Sequence, residues 1–348
     1  MGLFEGMLKD DESVFLNPEH LDFDYQPKQI KHREEHQQVI ATCIKPLLNR
    51  RNGSNLLVYG QPGVGKTVSI KHVIQELKQT TDKVRLIYIN CWKKETAYRV
   101  CLGICEQIGY SWTQDKNTEE LIKKISEILN KDSAVIVFDE FDKLEDHNVV
   151  YNLIESIYRK TFILISNDRE VIQDIDSRVR SRLPLKELEF AKYTAGQTRD
   201  ILEQRKNYAF VKGVFSEGAF NTIVDTTIKT GDIRFGLHLL REAGNCAECR
   251  ASRIIEEKDA REALRSINSF IINKETQLKD SEKEILKLIK DHPGNSTRDL
   301  FEFYTGDKSY RTFQRILYDL VEARIISSEG KILEHGGKTN TYFFGIKQ

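Results

Sequence analysis

Gly60-Gln61-Pro62-Gly63-Val64-Gly65-Lys66-Thr67 fills every position of the phosphate-loop pattern G-x-x-x-x-G-K-[ST]. Leu56-Leu57-Val58-Tyr59, just before it, is a short apolar run of the buried-strand type. Thr67 to Gln79, just after it, has the apolar spacing of a helix. A strand, a glycine turn and a helix in that order form a cradle for phosphates. Glycines let the backbone approach closely, several N–H donors converge, and the helix adds its positive end. Gly63, Val64, Gly65, Lys66, Thr67 and Val68 are therefore expected to hold ATP or ADP. Lys66 would reach the β- and γ-phosphates, and the Thr67 hydroxyl would hold Mg²⁺. The alternative is a glycine turn that happens to precede Lys-Thr, and the flanking strand and helix argue against it.

A second motif lies downstream in Val135-Ile136-Val137-Phe138-Asp139-Glu140. Four apolar residues predict a strand buried on both faces, with two acids emerging at its C-terminal end. In open α/β sheets that end is where ligands bind. Asp139 would act on Mg²⁺, and Glu140 would orient and polarise the attacking water. Phe162 to Ser166 is another apolar strand, ending in Asn167. A neutral amide there can hold the water or read the γ-phosphate without repelling it, or it can simply form a turn. Arg178, Arg180 and Arg182 follow at alternate positions. They read either as a solvated face or as including a finger aimed at a neighbouring subunit's nucleotide.

The rest of the chain sets bounds. At 348 residues two or three domains are expected, and 39% hydrophobic residues suffice for ordinary cores. The net charge of zero makes any nucleic-acid surface a local patch. The six cysteines sit mostly in apolar periodic segments and read as reduced residues of a soluble, intracellular protein. Cys246 and Cys249 have metal-ligand spacing, but no second Cys or His pair follows, so a helical position is the expectation. No apolar run approaches membrane length.

Past a polar link at 273–281, the C-terminal segment predicts three helices and two strands, around 325–333 and 341–346. Between the strands, His335 to Asn340 predicts a glycine-rich hairpin tip carrying Lys338. This is the pattern of a winged helix. Lys308, Tyr310, Arg311, Thr312 and Arg315 fall at the start of the third helix, off its apolar face. In helix-turn-helix proteins that end enters the major groove. Winged helices also mediate protein contacts, and the residues alone leave both readings open.

Taken in order, these motifs resemble the archaeal replication initiators of the origin-recognition and cell-division-cycle type, AAA+ ATPases with a C-terminal winged helix. The match rests on Gln26-Pro27 through His32-Arg33-Glu34-Glu35, the phosphate loop, Asn90, and Phe138-Asp139-Glu140-Phe141-Asp142-Lys143-Leu144. It continues through Ser166-Asn167-Asp168, Arg178-Val179-Arg180-Ser181, Tyr193, Ile201-Leu202-Glu203-Gln204-Arg205, Gly231-Asp232-Ile233-Arg234 and Leu239 to Gly244. The resemblance implies an α/β parallel sheet in which the Asn167 strand lies between those of the phosphate loop and Asp139. It implies Arg178 as the finger, Arg234 as a second sensor on a helical lid, and Tyr193 and Arg205 as lid-side nucleotide contacts. It also implies a helical insertion after Asn90 in which Lys93, Lys94 and Arg99 meet DNA; an ordinary amphipathic helix is the alternative there.

The expected division is a base with an N-terminal arm (1–192), a lid (193–275) and a winged helix (276–348). The expected activity is slow, switch-like ATP hydrolysis by a cytoplasmic, nucleoid-associated initiator. Its implied partners are double-stranded origin DNA, the replicative minichromosome maintenance helicase and further initiator protomers on DNA, with no membrane. The rival readings are a nucleotide-locked DNA-binding module without turnover and a signal-transduction ATPase whose winged helix contacts protein.

Overall fold

Apolar runs of strand length alternate with amphipathic helical segments, so the strands have no internal partner and must pair with one another under a cover of helices. The computed structural model describes residues 13–174, 177–276, 280–306, 308–322, 326–332 and 338–344. They fall into two compact units, one spanning Asp24–Gln197 and the other combining the segment up to Phe23 with Thr198 onward.

In the first unit five strands, β1 (Asn55–Tyr59), β2 (Val84–Asn90), β3 (Ser133–Asp139), β4 (Lys160–Ser166) and β5 (Leu185–Glu189), form one sheet. All its pairings are parallel and the order is β2-β3-β4-β1-β5. β3 is buried at every position, as its unbroken apolar run requires. β5 reads Leu-Lys-Glu-Leu-Glu and carries three charges. It lies at the sheet edge, where charge blunts further strand pairing.

The helices of this unit are α1 (Glu34–Ile44), α2 (Lys66–Thr80), α3 (Ala97–Gln107), α4 (Thr118–Leu129), α5 (Asn148–Ser156) and the short α6 (Val171–Asp174) and α7 (Ser177–Arg182). α1 and α2 bury Ile40, Ile70 and Ile74 with the β-strand residues Val58, Val137 and Ile165. α3, α4 and α5 form a second core with Phe138, Phe162 and Leu164. Asn117 caps α4 through a reciprocal exchange with Glu120, as Asn-x-x-Glu predicts. Arg178, Arg180 and Arg182 lie on α7. In a helix, alternate residues do not share a face, so their spacing does not align them.

The second unit holds α8 (Ala195–Ala209, which starts at the boundary), α9 (Glu217–Thr230), α10 (Ile233–Cys249) and α11 (Glu257–Thr276). Ser216 caps α9 through the Ala219 N–H, Gly231 ends it at φ 68°, and Asp232 caps α10. These are the residue types such ends require. Cys249 is the last residue of α10 and is exposed.

The N-terminal arm departs from expectation. The sequence reading attaches it to the base, yet Val14 and Leu21 are buried among Phe210, Leu239 and Leu240 of the second unit. Leu16 and Asn17 N–H both donate to the Ala209 carbonyl, and Phe15 stacks on Phe210 at 4.8 Å. The arm supplies apolar surface that the four helices leave uncovered.

The same unit also contains α12 (Asp280–Asp291), α13 (Thr297–Phe303), α14 (Tyr310–Glu322) and an antiparallel hairpin, β6 (Ile326–Ile332) and β7 (Lys338–Phe344). Ile285, Ile289, Leu300, Phe313 and Leu317 form their shared core. Three helices and a hairpin match the expected winged helix. Lys338 differs from the reading: it opens β7 and pairs with Ile332 instead of sitting at the hairpin tip. β7 thus begins three residues before the expected start at 341. The Lys338 side chain lies outside the described residues. Among the described residues no helix is long and apolar enough to cross a membrane.

Candidate functional site

The phosphate loop leaves the C-terminal end of β1 and enters α2 at Lys66. Its glycines are required where they stand. Gly65 has φ 91°, and a Cβ on it would come within 2.7 Å of the Tyr193 hydroxyl. A Cβ on Gly60, at φ 147°, would meet the Phe190 carbonyl at 2.3 Å. The loop thus folds tightly against the chain leaving β5.

β4 lies between β1 and β3, which brings three chain segments together at one sheet edge. The buried Lys66 ammonium donates to the Gln61 carbonyl at 3.0 Å, to the Gly60 carbonyl, and to Asn167 Oδ1 at 3.0 Å. Asn167 follows β4 directly, so its amide is held against the loop. The Thr67 hydroxyl donates to Asp139 Oδ2 at 3.0 Å. Lys66, Thr67, Asp139 and Asn167 are therefore assembled as the sequence predicts, and the strand order is the one the resemblance implies.

Asp139 is buried at the end of β3, and a buried carboxylate needs donors. Besides Thr67, it receives the Tyr88 hydroxyl on Oδ2 and the Glu140 N–H on Oδ1 at 3.0 Å. Tyr88 comes from β2, next to β3 in the sheet. Burial and then the Asp139 charge push the Tyr88 phenol well above the usual tyrosine range, so it stays a donor. The Cys91 thiol is likewise pushed up, by burial first and Asp139 second, and cannot serve as a thiolate. Glu140, partly exposed, turns the chain at φ 54° into a single helical turn whose Phe141 is buried.

The pair Thr67 hydroxyl and Asp139 carboxylate is an oxygen donor set, which suits a hard cation such as Mg²⁺. No group of three or more His, Cys, Asp or Glu able to hold a metal occurs among the described residues. Cys246 and Cys249 are thus not part of such a cluster.

One arginine escaped the site prediction. Arg33, at the start of α1, is buried, and its Nε donates to the Val64 carbonyl of the loop at 3.1 Å. Its Nη2 donates to the Ala191 carbonyl, and its guanidinium lies 4.1 Å from the Tyr193 ring centre. Tyr193 accordingly flanks the loop at Gly65, with Arg33 behind it. Sequence marks Arg33 as one of the residues that carry the resemblance but assigns it no role, because its partners are 31 and 158 residues away.

Among the remaining predicted residues, Arg178 is on α7, and its side chain lies outside the described residues. Arg205, buried in the second unit, donates to the His20 carbonyl at 3.1 Å. Arg234 closes on the Asp232 carboxylate at 3.0 Å across the cap of α10. In the winged helix, Arg311 and Arg315 are exposed on α14 while Phe313 and Leu317 are buried. Tyr310 is partly exposed, with its ring edge-on to Phe301. The Thr312 N–H and hydroxyl engage Ser309, and Lys308 is half-buried just before the helix. After β2, Lys93 and Arg99 are exposed, whereas Lys94 pairs with Glu106 at 3.5 Å. Val100 and Ile104 on α3 are fully buried, so the helix is core-forming, and of the three cations only Arg99 lies on it, exposed.

Comparison with known proteins agrees with this architecture. Residues 49–167 match the AAA domain family and residues 199–265 match the Cdc6 AAA+ ATPase-type lid domain. The chain is 32% identical to the ORC1-type DNA replication protein of Cenarchaeum symbiosum, covering 95% of this chain and 88% of that one. It is 30% identical to ORC1-type DNA replication protein 2 of Methanothermobacter thermautotrophicus, over 92% of this chain and 89% of that one. The structure of Aeropyrum pernix ORC1 in complex with DNA superposes with a TM-score of 0.75 at 27% identity, covering 98% of this chain and 95% of that one.

Proposed function

Because the chain belongs to the ORC1-type DNA replication proteins, we propose that it initiates replication by binding origin duplex in an ATP-dependent manner and helping to load the replicative minichromosome maintenance helicase. The observation that carries the nucleotide part is the meeting of Lys66, Asn167, Thr67 and Asp139 at adjoining strand ends. Lys66 neutralises the β- and γ-phosphates, and Asn167, held against it, faces the γ-phosphate and its water. Thr67 and Asp139 would hold Mg²⁺, which supplies charge neutralisation at the transferring phosphoryl group. Glu140 orients and polarises the water.

Arg178 would reach a neighbouring protomer's nucleotide, and Arg205, Arg234 and Tyr193 would read the nucleotide from the lid side. A cation on the lid that touches the phosphates makes lid angle depend on nucleotide state. The chain is read as base (24–192), lid (193–275, joined by the N-terminal arm) and winged helix (276–348). DNA is held by Lys308, Tyr310, Arg311, Thr312, Arg315 and Lys338 of the winged helix, with Lys93, Lys94 and Arg99 adding backbone contacts. The exposure of Arg311 and Arg315 beside a buried Phe313 supports the DNA reading of α14.

The test is a pair of variants. Lys66→Ala should lose ATP binding in a filter assay while keeping its fold by circular dichroism. Glu140→Ala should bind ATP and release phosphate far more slowly than wild type. Retained tight binding in the first, or near-normal turnover in the second, overturns the assigned roles.

A further inference from the structure

We propose that Arg33 is a positioning residue that orients the phosphate-binding loop from behind and fastens it to the segment leaving β5. The inference rests on the proposed nucleotide site and extends it to a residue outside the loop motif. Arg33 is 5% exposed, and its guanidinium bonds two carbonyls on separate segments. Nε donates to the Val64 carbonyl at 3.1 Å and Nη2 to the Ala191 carbonyl. Its flat face covers the Tyr193 ring at 4.1 Å, and it stands 5.0 Å from the Phe190 ring centre. A planar guanidinium can make two directed bonds and stack at once, which a lysine ammonium cannot.

The consequence follows from peptide geometry. In a planar trans peptide the C=O and the next N–H point in opposite directions. Drawing the Val64 carbonyl to Arg33 therefore turns the Gly65 N–H away from Arg33. In a phosphate loop such backbone N–H groups are the donors that hold phosphate oxygens. The other side of the same residue is crowded, since the Tyr193 hydroxyl lies 2.7 Å from where a Gly65 Cβ would go. Arg33 also holds Tyr193, so one side chain fixes both constraints on the Val64–Gly65 peptide. A fixed positive charge one peptide behind the loop further favours anionic over neutral ligands.

Arg33 should therefore matter for the phosphates of a nucleotide and not for its base. The experiment compares wild type, Arg33→Lys and Arg33→Ala by calorimetry with ADP and with adenosine, alongside ligand-free melting curves. Arg33→Lys keeps the charge and the buried stem and serves as the variant expected to fold if Arg33→Ala does not. ADP affinity should fall about tenfold in Arg33→Lys and further in Arg33→Ala, roughly the effect of losing a charged hydrogen bond. Adenosine affinity should change less than twofold. Equal losses for both ligands would make Arg33 a wall of the base pocket and overturn the proposal. Unchanged ADP affinity in a folded Arg33→Lys would overturn it too. Failure of wild type to bind ADP would instead strike the nucleotide reading itself and take this inference with it.

Discussion

Replacing Gly65 by alanine tests the packing of the phosphate loop without touching a charged group. Two costs can be worked out separately. At φ 91° an L-residue with a Cβ pays about 1–2 kcal/mol relative to glycine. The added methyl also meets the Tyr193 hydroxyl at 2.7 Å, closer than any relaxed contact. Tyr193 cannot swing away freely, because Arg33 covers its ring, so relief requires displacing a held side chain at about 1 kcal/mol or more. Gly65→Ala should thus cost about 2–3 kcal/mol in all. The assay is hydrogen exchange at the amides of β1 and α2, which reads this unit alone in a chain with several cores. Tyr193→Phe removes the hydroxyl but not the backbone strain. In that background the alanine should cost only about 1–2 kcal/mol. An identical cost in both backgrounds would refute the steric half of the reasoning, and a cost below about 0.5 kcal/mol would refute the whole.

Tyr88→Phe should destabilise the unliganded protein by about 1–2 kcal/mol, because a buried carboxylate loses one of three donors; urea unfolding checks this, and an unchanged midpoint argues against the network. Burial and then Arg33 lower the His36 pKa from its usual 6.5, while the Glu189 carbonyl and Glu35 oppose the shift. The unfolded chain then binds a proton below pH 6.5 that the folded one resists, so stability should fall as pH drops from 6.5 toward the folded pKa. His36→Gln should flatten that decline, and a steeper decline would reverse the sign. Arg311→Ala or Arg315→Ala should cost about 1–3 kcal/mol on an origin duplex and blur discrimination against a scrambled one. Lys93→Ala should weaken both duplexes alike and lower the salt slope by roughly one unit; salt-dependent anisotropy distinguishes the two classes, and arginine variants with wild-type affinity and discrimination would favour the protein-contact reading of α14.

The legible parts of this protein are those whose signal is local. The phosphate loop, the β3 run and the caps Asn117, Ser216 and Asp232 each need only residues within a few positions. Asn167 was legible because an apolar strand ended on it. Hidden features depend on partners far away in the chain. Ser13 and Val14 bind Glu248, more than two hundred residues on, so the arm's irregular apolar spacing gave no hint of which unit it completes. Arg33 and Tyr88 sit in ordinary-looking contexts, and only the fold brings them to Val64 and Asp139. β5 is not marked by an apolar run, because it carries three charges and none of its residues is buried. On α7 the period of two does not define one face, although Arg180 and Arg182 are exposed as the solvated reading expects.

Asp139 and Glu140 are adjacent, yet they are unequal probes of the chemistry. Asp139 ends a fully buried strand and joins three elements: β3 itself, α2 through Thr67, and β2 through Tyr88. Removing its charge leaves two hydroxyl donors and an N–H without their acceptor in a closed space, which destabilises whatever else it does. Lost turnover in an Asp139 variant would therefore not separate a metal ligand from a structural hub. Glu140 is more exposed, and its backbone is set by the turn into the buried Phe141. Its carboxylate can be replaced while φ, the strand and the hub remain in place. The strained φ of 54° costs a non-glycine residue about 1–2 kcal/mol, and alanine keeps that same cost. Backbone strain is thus matched between wild type and Glu140→Ala, and a fall in turnover accompanied by an unchanged melting curve reports on the carboxylate.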